Sequence, residues 1–199
     1  MPAIKYSPDL TLREARQRYL DDNNLGSGGY DDKYFYLKLG RFKIYLPNTK
    51  ARVRAVKIHD LHHVLTEYQT TWTGEAEIGA WEIASGCQHH YVAWWLNIYA
   101  FAIGVVIAPR AVYSAFVRGR HSRNLYAEEF QPAWLEQEVG ELRKRLGIEA
   151  RAYMGEANDN LVFAVWATTC VLAYLISTII FYSPVLLLLW FLWNGAGRN

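Results

Sequence analysis

The run LVFAVWATTCVLAYLISTIIFYSPVLLLLWFLW, residues 161–193, holds 33 residues without a formally charged side chain. A bilayer core about 30 Å thick is crossed by about 20 helical residues, and Leu161–Tyr182 reaches that length by itself. Ser183-Pro184 then interrupts the run, because proline cannot donate the helical hydrogen bond at its position. The remainder, Val185–Trp193, is too short to cross as a helix; it is expected to continue as a kinked extension, lie at the interface or pair with another chain. Trp190 and Trp193 suit an interfacial belt. A soluble helix of this kind would need an unusually long apolar partner surface. The chain therefore reads as a membrane protein: residues 153–199 form a C-terminal anchor with a spanning helix at about 161–182, and residues 1–152 form the domain it holds.

Upstream of the anchor the composition changes. Every charged side chain except Arg198 precedes Leu161, and the 199 residues sum to a net charge of only +2. That balance does not ask for nucleic acid, and the apolar content excludes a disordered chain. Two cysteines in unlike surroundings, Cys87 and Cys170, exclude a disulfide scaffold and read as buried thiols. The first twenty residues are charged and amphipathic, unlike a cleavable signal peptide. A second apolar stretch, Tyr91–Pro109, is long enough to span, but basic residues flank it on both sides (Lys57 before, Arg110 after), which conflicts with the positive-inside rule. It is expected to be a buried core helix, with the domain on the cytoplasmic face.

The domain itself reads as all-α, a helical bundle with one short β-hairpin near its N-terminus. Thr11-Leu-Arg-Glu14 spells a capping box that opens a helix to about Leu20. Asp21–Gly29 is a glycine-rich loop lacking the Gly-Lys-Ser/Thr of a phosphate loop. Tyr34–Leu39 and Phe42–Leu46, joined at Gly40-Arg41, have the β-branched and aromatic content of a hairpin. Asn48 or Thr49 caps a helix to about Thr66, another begins near Gly74, and a polar helix over Ala133–Leu146 reads as a solvated face.

Chemistry concentrates in His59-Asp60-Leu61-His62-His63. Four residues apart on a helix, His59 and His63 project from one face, the spacing by which two imidazoles hold one metal ion. Asp60 could ligate or orient an imidazole. Glu75, at the start of the next helix, is the best third ligand; Glu82 and His89 share its face if that helix continues past Ser85-Gly86, and Glu77 points away. The alternative is that these histidines are ordinary surface or interfacial residues. His121, within Arg118–Arg123, reads as part of a membrane-facing basic patch or a solvated loop.

At these residues the sequence resembles the fourth coenzyme-Q biosynthesis protein family, whose hallmark is His-Asp, two residues, His, eleven residues, Glu. Here the pattern reads His59-Asp60, His63 and Glu75, with every position matched. Phe116-Val-Arg-Gly-Arg120 and Glu141–Ile148 are similar to that family's closing segment, so the resemblance spans about residues 10 to 150; the membrane tail departs from it. The resemblance implies one divalent metal ion, zinc by family habit or iron, held by His59, Asp60, His63 and Glu75. It further implies an enzyme of ubiquinone or prenylquinone biosynthesis, acting on a prenylated aromatic ring by oxidative decarboxylation and hydroxylation at ring carbon one. In that scheme His63 and Glu75 serve as catalytic metal ligands and Asp60 orients them or shuttles protons. The prenyl chain would lie along Tyr91–Pro109, and other quinone-biosynthesis enzymes are implied partners, with a second copy of the chain a natural contact for the apolar tail. Zinc has no redox chemistry, so an oxidative step needs iron, manganese or a partner's cofactor.

Two rival readings use the same residues. His59-x-x-His62-His63 and Gln88-His89-His90 also echo the histidine boxes of membrane di-iron desaturases and hydroxylases, although six histidines are few for that chemistry. A prenyl-lipid-binding scaffold with a structural metal, or none, would make the site non-catalytic.

Overall fold

Side-chain caps start the early helices, the first two where the sequence places them and the third two residues before Gly74. Thr11 accepts from the Glu14 amide while Glu14 reaches back to the Thr11 amide, and this reciprocal box opens α1 (Leu12–Asp22). Thr49 caps α2 (Lys50–Thr66) and Thr71 caps α3 (Trp72–Ser85). Between α1 and α2 the antiparallel strands β1 (Tyr34–Leu39) and β2 (Phe42–Pro47) pair in register, with Tyr36 opposite Tyr45. The remaining helices are α4 (Tyr91–Ile107), α5 (Pro109–Arg120), α6 (Val139–Leu146) and α7 (Ala157–Ala196), with short 3-10 turns at Leu125–Ala127 and Pro132–Glu136. This computed structural model describes residues 5–39, 41–148 and 155–196; the expected hairpin residue Gly40, the domain boundary at 152/153 and Arg198 lie outside them. The fold is all-α apart from the hairpin, as the sequence predicts.

Helix α3 is the centre of the bundle. From Ala76 to Ile83 it is buried apart from Glu77, and it packs against α4 on one side and α5 on the other. Close approach to α5 depends on Gly119, where any Cβ would sit 2.5 Å from the Trp81 carbonyl oxygen. Trp81, Ile78, Phe101, Phe116 and Leu61 fill the resulting core.

Three elements differ from the sequence expectation. Ala133–Leu146 is not one helix: the Leu12 amide donates to the Gln137 carbonyl and the Val139 amide to the Leu10 carbonyl, so the N-terminal segment bridges in and interrupts it. Nor is it merely a solvated face. Leu142 and Leu146 are buried, and the Arg143 guanidinium donates to the Val64 and Leu65 carbonyls (2.9 Å each) that end α2. Helix α4 is only half buried: Phe101 and Asn97 face the core, while Trp95, Leu96, Val106 and Ile107 are exposed. Helix α4 stops at Ile107, and Pro109 opens α5 at a position where a missing N–H costs nothing.

The third difference lies in the C-terminal helix, where continuation past Pro184, one of the expected courses, is what forms. Helix α7 runs unbroken through Pro184 for 40 residues, about 60 Å at 1.5 Å per residue. Pro184 cannot donate to the Ile180 carbonyl, and the Ser183 hydroxyl does so instead at 3.1 Å. Residues Ala157–Pro184 are long and apolar enough to cross a membrane. The first half of α7 also packs on the domain. Trp166 stacks on Trp94 at 5.7 Å, Phe163 packs edge-on against Phe101 and Phe116, and Asp159 in the first turn accepts from Arg120 and His121.

Candidate metal centre

The site forms where the last turns of α2 face the first turns of α3. Helical spacing stacks His59 and His63 one turn apart, and the Thr71 cap starts α3 so that Glu75 stands in its first turn opposite them. Gly74 makes that approach possible, since a Cβ there would lie 2.0 Å from the Gln69 carbonyl oxygen.

Hydrogen bonds fix both imidazole tautomers. The Tyr68 carbonyl can only accept, so the His63 Nδ1–H donates to it at 2.9 Å. Glu82 Oε1 accepts in the same way from His59 Nδ1, also at 2.9 Å. Both Nε2 lone pairs are then left pointing inward. They lie 3.2 Å from each other, and each lies 3.5 Å from an oxygen of Glu75. Ligands of a tetrahedral ion bound at about 2.0–2.1 Å are separated by about 3.3–3.4 Å, close to the Nε2–Nε2 distance, while the two 3.5 Å contacts end on different oxygens of Glu75.

Two facing lone pairs beside a carboxylate require a cation between them, either a proton or a metal ion. The electrostatics agree. Burial works against a charged His59, but Glu82 and Glu75 outweigh it and raise its pKa well above the ordinary imidazole value. Burial likewise opposes ionisation of Glu75, yet the facing His59 and His63 rings hold its carboxyl down to about 2. Glu75 and Glu82 carry two negative charges, and in the metal-free protein the cation that faces them is the His59 imidazolium, whose proton a divalent ion would replace. The Glu75 side chain stays 40% exposed, so the trio is open on one side.

Behind the trio, Glu82 is completely buried and accepts four hydrogen bonds: from His59 and His62 on Oε1, and from Asn97 and Tyr126 on Oε2. This carboxylate–imidazole pairing is the arrangement that orients metal-binding histidines. Tyr19 stacks on the His63 ring at 5.3 Å.

Among the described residues, His59, His63 and Glu75 are the group of potential ligands close enough to share one ion. Asp60 is outside that trio, and one of its oxygens accepts from the Tyr30 hydroxyl. Glu82 sits on the site as an orienting group, whereas α3 ends at Ser85 and leaves His89 on an exposed turn. His62 has no free lone pair: Nδ1–H donates to Glu82 and Nε2 accepts the Leu125 amide at 3.0 Å. A histidine box using His62 as a ligand is therefore not formed. Glu77 faces a separate polar cleft with Tyr68 and Arg118. The Glu75–Glu82 spacing could have indicated the orienting carboxylate; nothing in the sequence marks the Tyr68 carbonyl.

Beside His59, Glu75 and Glu82 lies a cavity of about 220 Å³, walled by Ala55, Val56, Ala93, Leu96 and Ala100. Leu96, half exposed on α4, is part of its lining. No protein-family model matches this chain, and neither a curated protein nor a solved structure does.

Proposed function

We propose that the chain is a membrane-anchored metalloenzyme that holds one divalent ion on His59, His63 and Glu75 and acts on the ring of a prenylated aromatic acid. The observation that carries the metal assignment is the convergence of two tautomer-fixed Nε2 lone pairs and a carboxylate within 3.5 Å. The substrate class and the chemistry, oxidative decarboxylation and hydroxylation within prenylquinone biosynthesis, come from the resemblance at His59-Asp60, His63 and Glu75. The cavity is consistent with that substrate: apolar cavities of about 150 Å³ accept a benzene ring, so about 220 Å³ beside the trio holds a substituted ring but not a prenyl chain. The chain would leave along the exposed Leu96 side of α4, toward the bilayer that takes α7.

A bound divalent ion would supply Lewis-acid polarisation of the ring carboxylate or hydroxyl, and iron with dioxygen would add the oxidising capacity that zinc lacks. The protein's own groups have separable tasks. Glu82 and the Tyr68 carbonyl hold the imidazoles with their lone pairs inward, and the exposed edge of Glu75 leaves room for a substrate oxygen. Leu96, Ala93 and Val56 exclude water from the ring. Asp60, fixed by Tyr30, orients the His59–His63 turn.

The test is turnover by vesicle-reconstituted, metal-loaded protein given a prenylated hydroxybenzoic acid labelled at its carboxylate, with dioxygen present. Release of label that disappears in His63→Ala supports the reading. No release under zinc, iron or manganese loading overturns the catalytic assignment and favours the lipid-binding scaffold.

A further inference from the structure

Between Lys33 and Lys57 the chain carries eight Lys or Arg residues and no Asp or Glu, although the whole protein is only +2. This excess falls on β1–β2 and the first turns of α2. Strand register puts Tyr34, Tyr36, Lys43 and Tyr45 on one face of the ribbon. Phe42 and Ile44 lie on the other face, toward its tip, and Tyr34, Tyr36, Phe42 and Tyr45 are each more than half exposed. Lys43 lies 4.4 Å from the Tyr36 ring and Arg52 3.7 Å from Phe35, so cations and aromatics are interleaved. A two-stranded ribbon with both faces wet is marginal in water and gains from a cover. Aromatic side chains set among Lys and Arg are the composition of segments that rest at the headgroup level of anionic bilayers.

Helix α2 packs on α4, and α4 on α7. The cavity walls bring Ala55 and Val56 of α2 against Leu96 and Ala100 of α4. The outer side of α4 bares Trp95 and Leu96, and α4 packs on α7 through Trp94 and Trp166. From Lys33 to Lys57 this segment thus brings no acidic residue to the side where α2 meets the half-exposed Leu96 of α4, with Glu75 set at the cavity between them. We infer that the hairpin and the first turns of α2 dock on the anionic headgroups of the bilayer that holds α7, which turns the cavity mouth beside Leu96 toward the lipid. This rests on the membrane reading of α7.

The experiment uses the full chain with an environment-sensitive dye at Phe42→Cys; Cys87 and Cys170 are buried and do not compete for label. The protein is reconstituted in phosphatidylcholine vesicles with or without phosphatidylglycerol, both carrying a headgroup nitroxide quencher. Quenching is expected in the anionic vesicles only. It should fall by about half or more in Lys33/Arg41/Lys43→Gln, and vanish near 1 M salt, where the screening length is about 3 Å. Equal quenching in neutral and anionic vesicles, or none in either while the protein still floats with vesicles after an alkaline wash, overturns the docking and leaves the anchor standing. Failure to float with either lipid removes the membrane reading and the docking with it. Dye emission that follows protein concentration rather than lipid charge assigns the face to a second copy and overturns the lipid assignment.

Discussion

Replacing Glu82 by glutamine separates the proposed metal centre from the fold around it. Glu82→Ala would strand four buried donors, from His59, His62, Asn97 and Tyr126. At about 1–3 kcal/mol for each unsatisfied group, that approaches the roughly 5–15 kcal/mol that holds a typical domain folded, so the alanine variant should not fold. Glutamine keeps the shape. Its Oε1 can still accept from both imidazoles, and a flipped Asn97 amide can answer the new NH2. What disappears is the charge behind His59. Loss of an orienting carboxylate typically weakens metal binding by about 10–100-fold, equivalent to about 1.4–2.7 kcal/mol. The assay is competition against a chelator of known affinity, with denaturant unfolding of the metal-free protein alongside. Affinity unchanged within about twofold in a folded Glu82→Gln protein would refute the reasoning that Glu82 sets the basicity of His59.

Other consequences follow from the same geometry. Gly74→Ala must displace the Gln69 carbonyl, now 2.0 Å from the position of the added methyl; overpacking of this kind costs about 1–3 kcal/mol, and because Tyr68 moves with Gln69, thermal melting and metal titration should both weaken. His62→Ala should lower stability by about 2–5 kcal/mol through the lost Leu125 and Glu82 bonds and the cavity it leaves, yet retain metal stoichiometry, as metal analysis of the folded fraction would show. Acid sensitivity has a defined direction. Glu75, held down to about 2, stabilises the metal-free fold above the usual 4.5, and that contribution is lost as pH falls from 4.5 toward 2. His59 contributes in the opposite sense: its raised pKa stabilises the metal-free fold below the ordinary imidazole value, and this is lost as pH rises through the raised value. Since metal must displace that proton, affinity should weaken as pH is lowered, which a chelator competition series in buffered solution measures.

The features legible in the sequence are those set by local geometry. Thr11 and Glu14 specify a helix start within four residues, and the His59–His63 interval specifies a shared face whatever surrounds it. Glu75 could be anticipated because Thr73-Gly74 marks a helix start just before it, although the cap that sets that start is Thr71. What stayed hidden depends on distant partners. Glu82 becomes the hub of the site only because Asn97 and Tyr126 arrive from other elements. Arg143 lies on a polar helix that looks solvated until the open carbonyls at the end of α2 are placed beside it. Apolar composition says that Tyr91–Ile107 avoids water, but not whether protein or lipid covers it, and α4 is half covered by protein alone. The Ser183-Pro184 pair reads as a break because proline lacks a donor; the serine hydroxyl that answers the Ile180 carbonyl lets α7 continue.

The central claim is that His59, His63 and Glu75 hold one metal ion, and metal content per chain in detergent-purified full-length protein, beside His63→Ala and Glu75→Gln, tests it most directly. One divalent ion per chain in the parent and none in folded His63→Ala, with loss or sharp weakening in Glu75→Gln, is the predicted result. Two ions per chain, full retention in His63→Ala, or no metal under any loading condition would contradict it.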